Sequence, residues 1–400
     1  MSTQIKTLSL IVLVLFPLGL SAAAPVTRPE AGWSQKMRDL GSVLNQLLVD
    51  ISSDERFENK KNFKAIEKNA IRFASLAHGI KSKSDAPPDK DMSLQLIGSD
   101  FSAEADYAVK SLKAGHRAYA RVILGSMSNY CIACHTRTGT GPQLAGIKLD
   151  PKLESLAPVA KGNYFVAIRN FDRALSEYHK VTADQENAIL EPFEYERALR
   201  AGLSVAVRVK HDPDMALNLV GNVIANPKAP FFLREQAAEW KKSLTEWKAE
   251  KPFSSEDMAK VFGEASRLIA NAKEVQKFPA DRSADILYLR ASGVVHDLLG
   301  LSPTGLMAAN ALYLAGLCYD VLYDYGVKDF SEFYYRSCIR TSPHTEVSKS
   351  CYRRYEESVY LGYTGSGGTY IPSDVRGRLN ELELLSAVAP VPKVDSPQLQ

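Results

Sequence analysis

The chain has 400 residues, with 49 Lys and Arg against 46 Asp and Glu. A net charge of +3 over that length gives no electrostatic case for nucleic acid. The length exceeds what one core usually takes, so two domains with linkers are expected, and cysteine use is sparse at five.

The amino terminus reads as a secretory signal peptide over residues 1–23. Lys6 precedes an apolar run from Leu8 to Leu20, interrupted by Ser9, Pro17 and Gly19, and small residues Ser21-Ala22-Ala23-Ala24 follow. The apolar core is shorter than the about 20 residues a membrane span needs. No later stretch is apolar enough to cross a bilayer, and the expected location of the mature chain is the periplasm or the exterior.

Residues 33–142 read as four helices. Met37, Leu40, Leu44, Leu47 and Ile51 recur at spacings of three and four and share one stripe. Phe63, Ile66, Ala70, Phe73, Ala77 and Ile80 form a second stripe, ended by Ser84-Asp85-Ala86-Pro87-Pro88. The third helix runs from Met92 to Lys113 with Leu94, Ile97, Phe101, Ala105, Ala108 and Leu112 inward, and Gly115 supplies the turn. The fourth starts near His116 and stops at Gly139-Thr140-Gly141-Pro142. Long helices joined by short links favour an antiparallel bundle with a cofactor between them.

The fourth helix ends in Cys131-Ile132-Ala133-Cys134-His135. Two thiols separated by two residues can each add across a haem vinyl group, and the adjacent imidazole then ligates the iron. A redox dithiol or half of a zinc site would account for the cysteines alone. Neither requires the adjacent His, and no second Cys pair has zinc-ligand spacing. One covalently attached haem c, with iron, is the expected cofactor.

A four-helix segment whose haem motif closes the fourth helix resembles the cytochrome c-prime superfamily. The resemblance covers residues 33–142 and rests on the position of the motif together with Met37. It implies His135 as proximal iron ligand and Met37, in Lys36-Met37-Arg38-Asp39-Leu40, as the distal ligand of a low-spin member. Met127 and His116 share the helix of His135 and cannot easily reach the opposite haem face, and His78 would need a different threading of the bundle. A Met on an apolar stripe also serves as ordinary core. Thr136-Arg137-Thr138 departs from the aromatic or basic pair that commonly follows the haem-binding His in this family, and Arg137 reads as a solvated helix-end charge or a neighbour of a propionate.

Beyond Pro142 the pattern changes. The run from Lys161 to Leu175, with Gly162, Tyr164, Ala167, Phe171 and Ala174-Leu175, resembles the second helix of a tetratricopeptide repeat. Weaker echoes are Asp212 to Leu217, after a helix from Glu196 to Val209, and Ala311 to Gly316, continued by Phe330 and Tyr334 to a stop at Pro343. Residues 155–385 are therefore expected to form a tetratricopeptide-like α-solenoid, and the whole chain is expected to be all-α. Lys248-Ala249-Glu250-Lys251, stopped by Pro252, marks a boundary between subarrays, and residues 386–400 read as a disordered tail. The alternative is an ordinary helical domain, since the repeats keep no constant period.

Cys338 and Cys351 flank the Ser342-Pro343-His344 turn, where two antiparallel helices bring them within disulfide reach; Cys318 competes, and three thiols are the third option. The Gly-rich run from Gly362 to Thr369 lacks the Gly-Lys-Ser/Thr of a phosphate loop and reads as a flexible turn. The tyrosines from Tyr319 to Tyr355 read as packing between repeat helices. The expectation is a periplasmic single-haem cytochrome for one-electron transfer, not an enzyme, whose repeat array binds a redox partner protein or an envelope assembly. The rival expectations are a five-coordinate haem gas binder and a non-redox scaffold stapled by haem.

Overall fold

The computed structural model describes residues 31–81, 92–137, 151–325 and 330–388. These residues are almost entirely helical, in seventeen α-helices with one two-rung β-hairpin. The expectations for residues 1–23, 84–88, 139–142 and 389–400 lie outside the described residues. No helix among the described residues is long and apolar enough to cross a membrane.

The first five helices are α1 (Ala31–Ile51), α2 (Asp54–Glu58), α3 (Phe63–Lys81), α4 (Met92–Lys113) and α5 (Arg117–His135). The apolar stripes are buried: Leu40, Leu44 and Leu47 on α1, Ile66, Ala70, Phe73 and Ala77 on α3, Ile97, Phe101, Ala105 and Ala108 on α4. The one-turn α2 had no periodic signal; Ser53 caps it by accepting from the Arg56 N–H. α1 packs on α3 and α5, and α4 packs between α3 and α5.

Side-chain contacts give the threading. At one end, Arg121 Nε donates to the Ile51 carbonyl at 2.8 Å, and the Arg117 guanidinium lies 3.3 Å from the Phe63 ring centroid. At the other end Lys36 lies along Gly79, and Ile80 lies against Gly98. Phe101 meets both Phe73 and Tyr130, with centroids 5.4 and 5.6 Å away, and Tyr107 meets Tyr119 at 5.8 Å, so α4 is antiparallel to both its neighbours. The start of α1, the end of α3, the start of α4 and the end of α5 therefore share one end of the packed helices.

The remaining helices are α6 (Pro158–Ala167), α7 (Phe171–Ala183), α8 (Asn187–Leu190), α9 (Pro192–Arg208), α10 (Pro213–Ala225), α11 (Phe231–Ala249), α12 (Met258–Val275), α13 (Asp285–Gly300), α14 (Gly305–Val321), α15 (Phe330–Thr341), α16 (Glu346–Gly362) and α17 (Ser373–Ser386). The run 161–175, read as one helix, is two. The chain turns at Ile168-Arg169-Asn170, where Arg169 takes φ +59° and Asn170 caps α7 through the Arg173 N–H. The helix expected from Glu196 begins one turn earlier, with Pro192 at its first position. The Gly-rich segment is a hairpin pairing Thr364 with Thr369 and Gly365 with Gly368.

Three helix pairs interlock in the same way. A Cβ at Gly162 would fall 2.4 Å from Tyr178, at Gly202 2.7 Å from Leu219, and at Gly316 2.3 Å from Tyr335. Each glycine on one helix admits a large side chain from the next, which lets the axes approach. Helices α9 and α13 run side by side, joined where Asp285 accepts from Arg200 and Arg282 in the interior. The regions also meet: α6 packs on α1 and α5, and α15 touches α4. One contiguous set of buried apolar side chains runs from Leu40 to Leu382.

Candidate haem-attachment site

Cys131, Cys134 and His135 occupy the last turn of α5, and spacings of three and four set them on one face. Neither sulfur is in a disulfide, and both residues are half-buried. The Cys131 Sγ points back along the helix at the Met127 carbonyl, 3.8 Å away. Burial, reinforced by the neighbouring Cys134, pushes the Cys131 thiol up to about 12, so it stays protonated at neutral pH.

The His135 ring is oriented from outside its own helix. Its Nδ1 lies 3.2 Å from the carbonyl oxygen of Val166 in α6. Burial, with the Arg169 charge adding to it, lowers His135 to about 4, against the opposing pull of the Val166 and Ala167 carbonyls. The ring is therefore neutral at pH 7, and a neutral ring facing a carbonyl carries its proton on Nδ1. Nε2 is left with its lone pair, the state a metal-ligating imidazole requires. Arg169 Nη1 also reaches the His135 carbonyl at 3.5 Å, placing a cation at the carboxyl end of α5.

Met37 lies in the first turns of α1, at the same end as the Cys131–His135 turn, with its side chain half-buried against the core. His116 starts α5 at the opposite end, and Met127 is fully buried on α5 itself. The threading corrects the expectation for His78: the end of α3 does lie at the motif end. There, however, its Nε2 is bonded to Asp106 Oδ1 at 2.9 Å on the outer face, with the side chain about half exposed.

Arg137 corrects a second expectation. It is not a solvated helix-end charge: it is 3 % exposed, its Nε donates to the Ala133 carbonyl at 3.0 Å, and its guanidinium faces Phe330 and Tyr319 at 5.5 and 6.0 Å from their ring centroids. Tyr319 stacks on Tyr334 at 5.3 Å, and its hydroxyl contacts His296 Nε2 at 2.6 Å and accepts from Arg208 Nη2 at 3.2 Å. Sequence reasoning missed Val166, Arg169, Arg208 and His296. The first contributes a backbone carbonyl, and the others come from helices or turns whose closeness to α5 leaves no mark in local periodicity.

The residues present fit a covalently bound haem. Two thiols stand one turn apart on one face beside an imidazole whose Nδ1 is held and whose Nε2 keeps its lone pair. Among the described residues no group of three or more His, Cys, Asp or Glu has the arrangement of a metal site. The chain matches no protein-family model, and comparisons with curated proteins and with solved structures find no match.

Proposed function

We propose that the chain is an exported single-haem c-type cytochrome that transfers one electron at a time. In this reading α1, α3, α4 and α5 form the cytochrome bundle of the c-prime type, and α6 to α17 form a tetratricopeptide-like array that binds a redox partner or an envelope assembly. Cys131 and Cys134 hold the haem, His135 is the proximal ligand and Met37 the distal one. The observation that carries the reading is the His135 Nδ1 contact with Val166, beside two thiols that are not joined to each other. Haem bound in this way supplies a one-electron couple. The chain's own residues fix the imidazole tautomer and keep the ring neutral.

The array also presents apolar surface suited to protein contact. Asn226 Nδ2 donates to the Gln185 carbonyl, and Lys228 pairs with Glu186, which brings the start of α8 beside the turn into α11. Around that junction Ile189, Leu190, Phe193, Phe231 and Phe232 are all exposed. Large apolar side chains exposed in this number are the kind of surface that suits association.

The test is the optical spectrum of the periplasmically matured protein, oxidised and reduced, with carbon monoxide added to the reduced sample. A sharp low-spin reduced spectrum, a sulfur-to-iron band in the oxidised state and little response to carbon monoxide are expected. A high-spin spectrum that shifts with carbon monoxide would transfer the reading to gas binding. Absence of covalent haem would end it.

A further inference from the structure

We propose that Arg208, together with Tyr319 and His296, forms a buried carboxylate-binding site beside the haem-attachment turn. The inference rests on the haem reading for one of its two sources of carboxylate. Arg208 ends α9 and is 1 % exposed. The single hydrogen-bond partner of its side chain among the described residues is the Tyr319 hydroxyl, reached by Nη2, and its Nε and Nη1 have none. Two turns earlier on the same helix Arg200 is as deeply buried, yet it is matched by Glu196 and Asp285. A guanidinium taken out of water without an anion costs several kcal/mol, so two donor nitrogens without an acceptor, Nε and Nη1, at such a charge mark the place of a missing one.

The surroundings favour a carboxylate. Guanidinium N–H donors and a planar carboxylate match in geometry, and charge-assisted bonds of this kind are the strong ones. Arg137 brings a second buried cation to the same tyrosine ring, 6.0 Å from its centroid. His296 Nε2 takes up the other side of the Tyr319 hydroxyl, which holds that oxygen toward Arg208. Lys210, two residues past Arg208, pairs with Asp172 in the first turn of α7. The end of α9 is thereby set beside the turn between α6, whose Val166 meets His135, and α7, a turn that carries Arg169. A haem held by Cys131 and Cys134 would bring two propionate carboxylates with it, one source of such an acceptor, and a small free carboxylate is the other source of the same chemistry.

The experiment uses the full-length matured protein as wild type, Arg208→Gln, Arg208→Lys and Tyr319→Phe, the last keeping the ring while removing the hydroxyl that anchors Arg208. Covalent haem content of the wild type is measured first and tests the haem reading by itself. The propionate bending band in resonance Raman spectra and the midpoint potential are then compared, and acetate and succinate are titrated by calorimetry. With haem present, Arg208→Gln should shift the propionate band and lower the potential, because a cation opposing the oxidised state is gone. Arg208→Lys should restore most of both, and Tyr319→Phe should reproduce part of them. Succinate binding to wild type that is lost in Arg208→Gln, with band and potential unmoved, would support the site and assign it to a free carboxylate. Unmoved band and potential without carboxylate binding, in folded variants carrying full haem, would overturn the proposal and leave the haem reading standing. Were the wild type to carry no haem, the titration alone would decide the site, and no binding would overturn it.

Discussion

His135 Nδ1 and the Val166 carbonyl oxygen lie 3.2 Å apart, so the ring of the attachment motif is held by a helix that begins more than twenty residues further along the chain. The bond couples the chemistry of α5 to the docking of α6. It also separates the roles of two candidate ligands: His135 has its tautomer set by protein, whereas Met37 needs only to stand at the right end of α1.

Met37→Ala should therefore convert a low-spin spectrum to a high-spin, carbon monoxide-responsive one while covalent haem content stays unchanged, since Cys131, Cys134 and His135 are untouched. His78→Ala, at the same end but turned outward onto Asp106, should leave the spectrum as it is. Optical spectra of the two variants check both halves. An unaltered spectrum in Met37→Ala would remove Met37 from the site.

Cysteine chemistry gives a count. Cys338 and Cys351 are disulfide-bonded with Cα atoms 6.4 Å apart, which resolves the three options in favour of the pair across the Ser342-Pro343-His344 turn. Cys318 is fully buried, and burial raises its thiol well above the ordinary range. Unfolded without reductant, the haem-loaded protein should alkylate at Cys318 alone, and protein made without haem attachment at Cys131, Cys134 and Cys318. Mass spectrometry after alkylation reads the difference directly. Reduction of the bridge, which spans 13 residues of sequence, should cost about 3 kcal/mol of stability in urea unfolding.

Much of the amino-terminal region could be read from spacing because its stripes face one core: Leu40, Leu44 and Leu47 or Ile97, Phe101 and Ala105 recur at helical period and are buried. The Cys131–His135 spacing is legible because its five residues are adjacent in the chain. What surrounds it is not. The break at Ile168-Arg169-Asn170 carries no Gly or Pro, and the one available signal was Asn170 as a helix cap. Arg137 looked like a surface charge because the rings that cover it, Tyr319 and Phe330, come from the far end of the chain. Burial of a polar residue by a distant helix is decided by tertiary packing, on which periodicity is silent.

The glycine interlocks make a sharper test of packing than any apolar truncation. A methyl group at Gly162 would meet the Tyr178 ring at 2.4 Å, and that ring is fully buried with its hydroxyl donating to Asn163 Oδ1 at 2.7 Å. The ring has no room to swing away without breaking that bond. Gly162→Ala should destabilise by roughly 1–3 kcal/mol, as overpacking does. Gly221→Ala on α10, with nothing within 4 Å of the added carbon, should instead be neutral or stabilise by up to about 1 kcal/mol through helix propensity. The urea midpoint should fall in Gly162→Ala and hold or rise in Gly221→Ala.

The junction between α9 and α13 depends on one carboxylate. Asp285 is fully buried and takes hydrogen bonds from Arg200 Nη1 at 3.1 Å, Arg282 Nε at 3.0 Å and the Tyr325 hydroxyl at 2.7 Å. Its removal takes one carboxylate from two buried guanidinium groups, Arg282 and Arg200, the second of which still holds Glu196. Breaking a buried pair by deleting one member typically costs 3–5 kcal/mol, more than the pair itself contributes over an apolar replacement. Asp285→Ala should therefore lower stability by about that amount. It should also loosen the exposed connection at 250–257 between α11 and α12, because that connection is held to α13 by the Glu250–Arg290 pair. Limited proteolysis should then cut between Lys251 and Glu256 faster in the variant than in the wild type. A triple variant with Arg200→Met and Arg282→Met added should recover most of the loss, since buried charge deprived of this carboxylate, rather than the missing contacts, sets the cost.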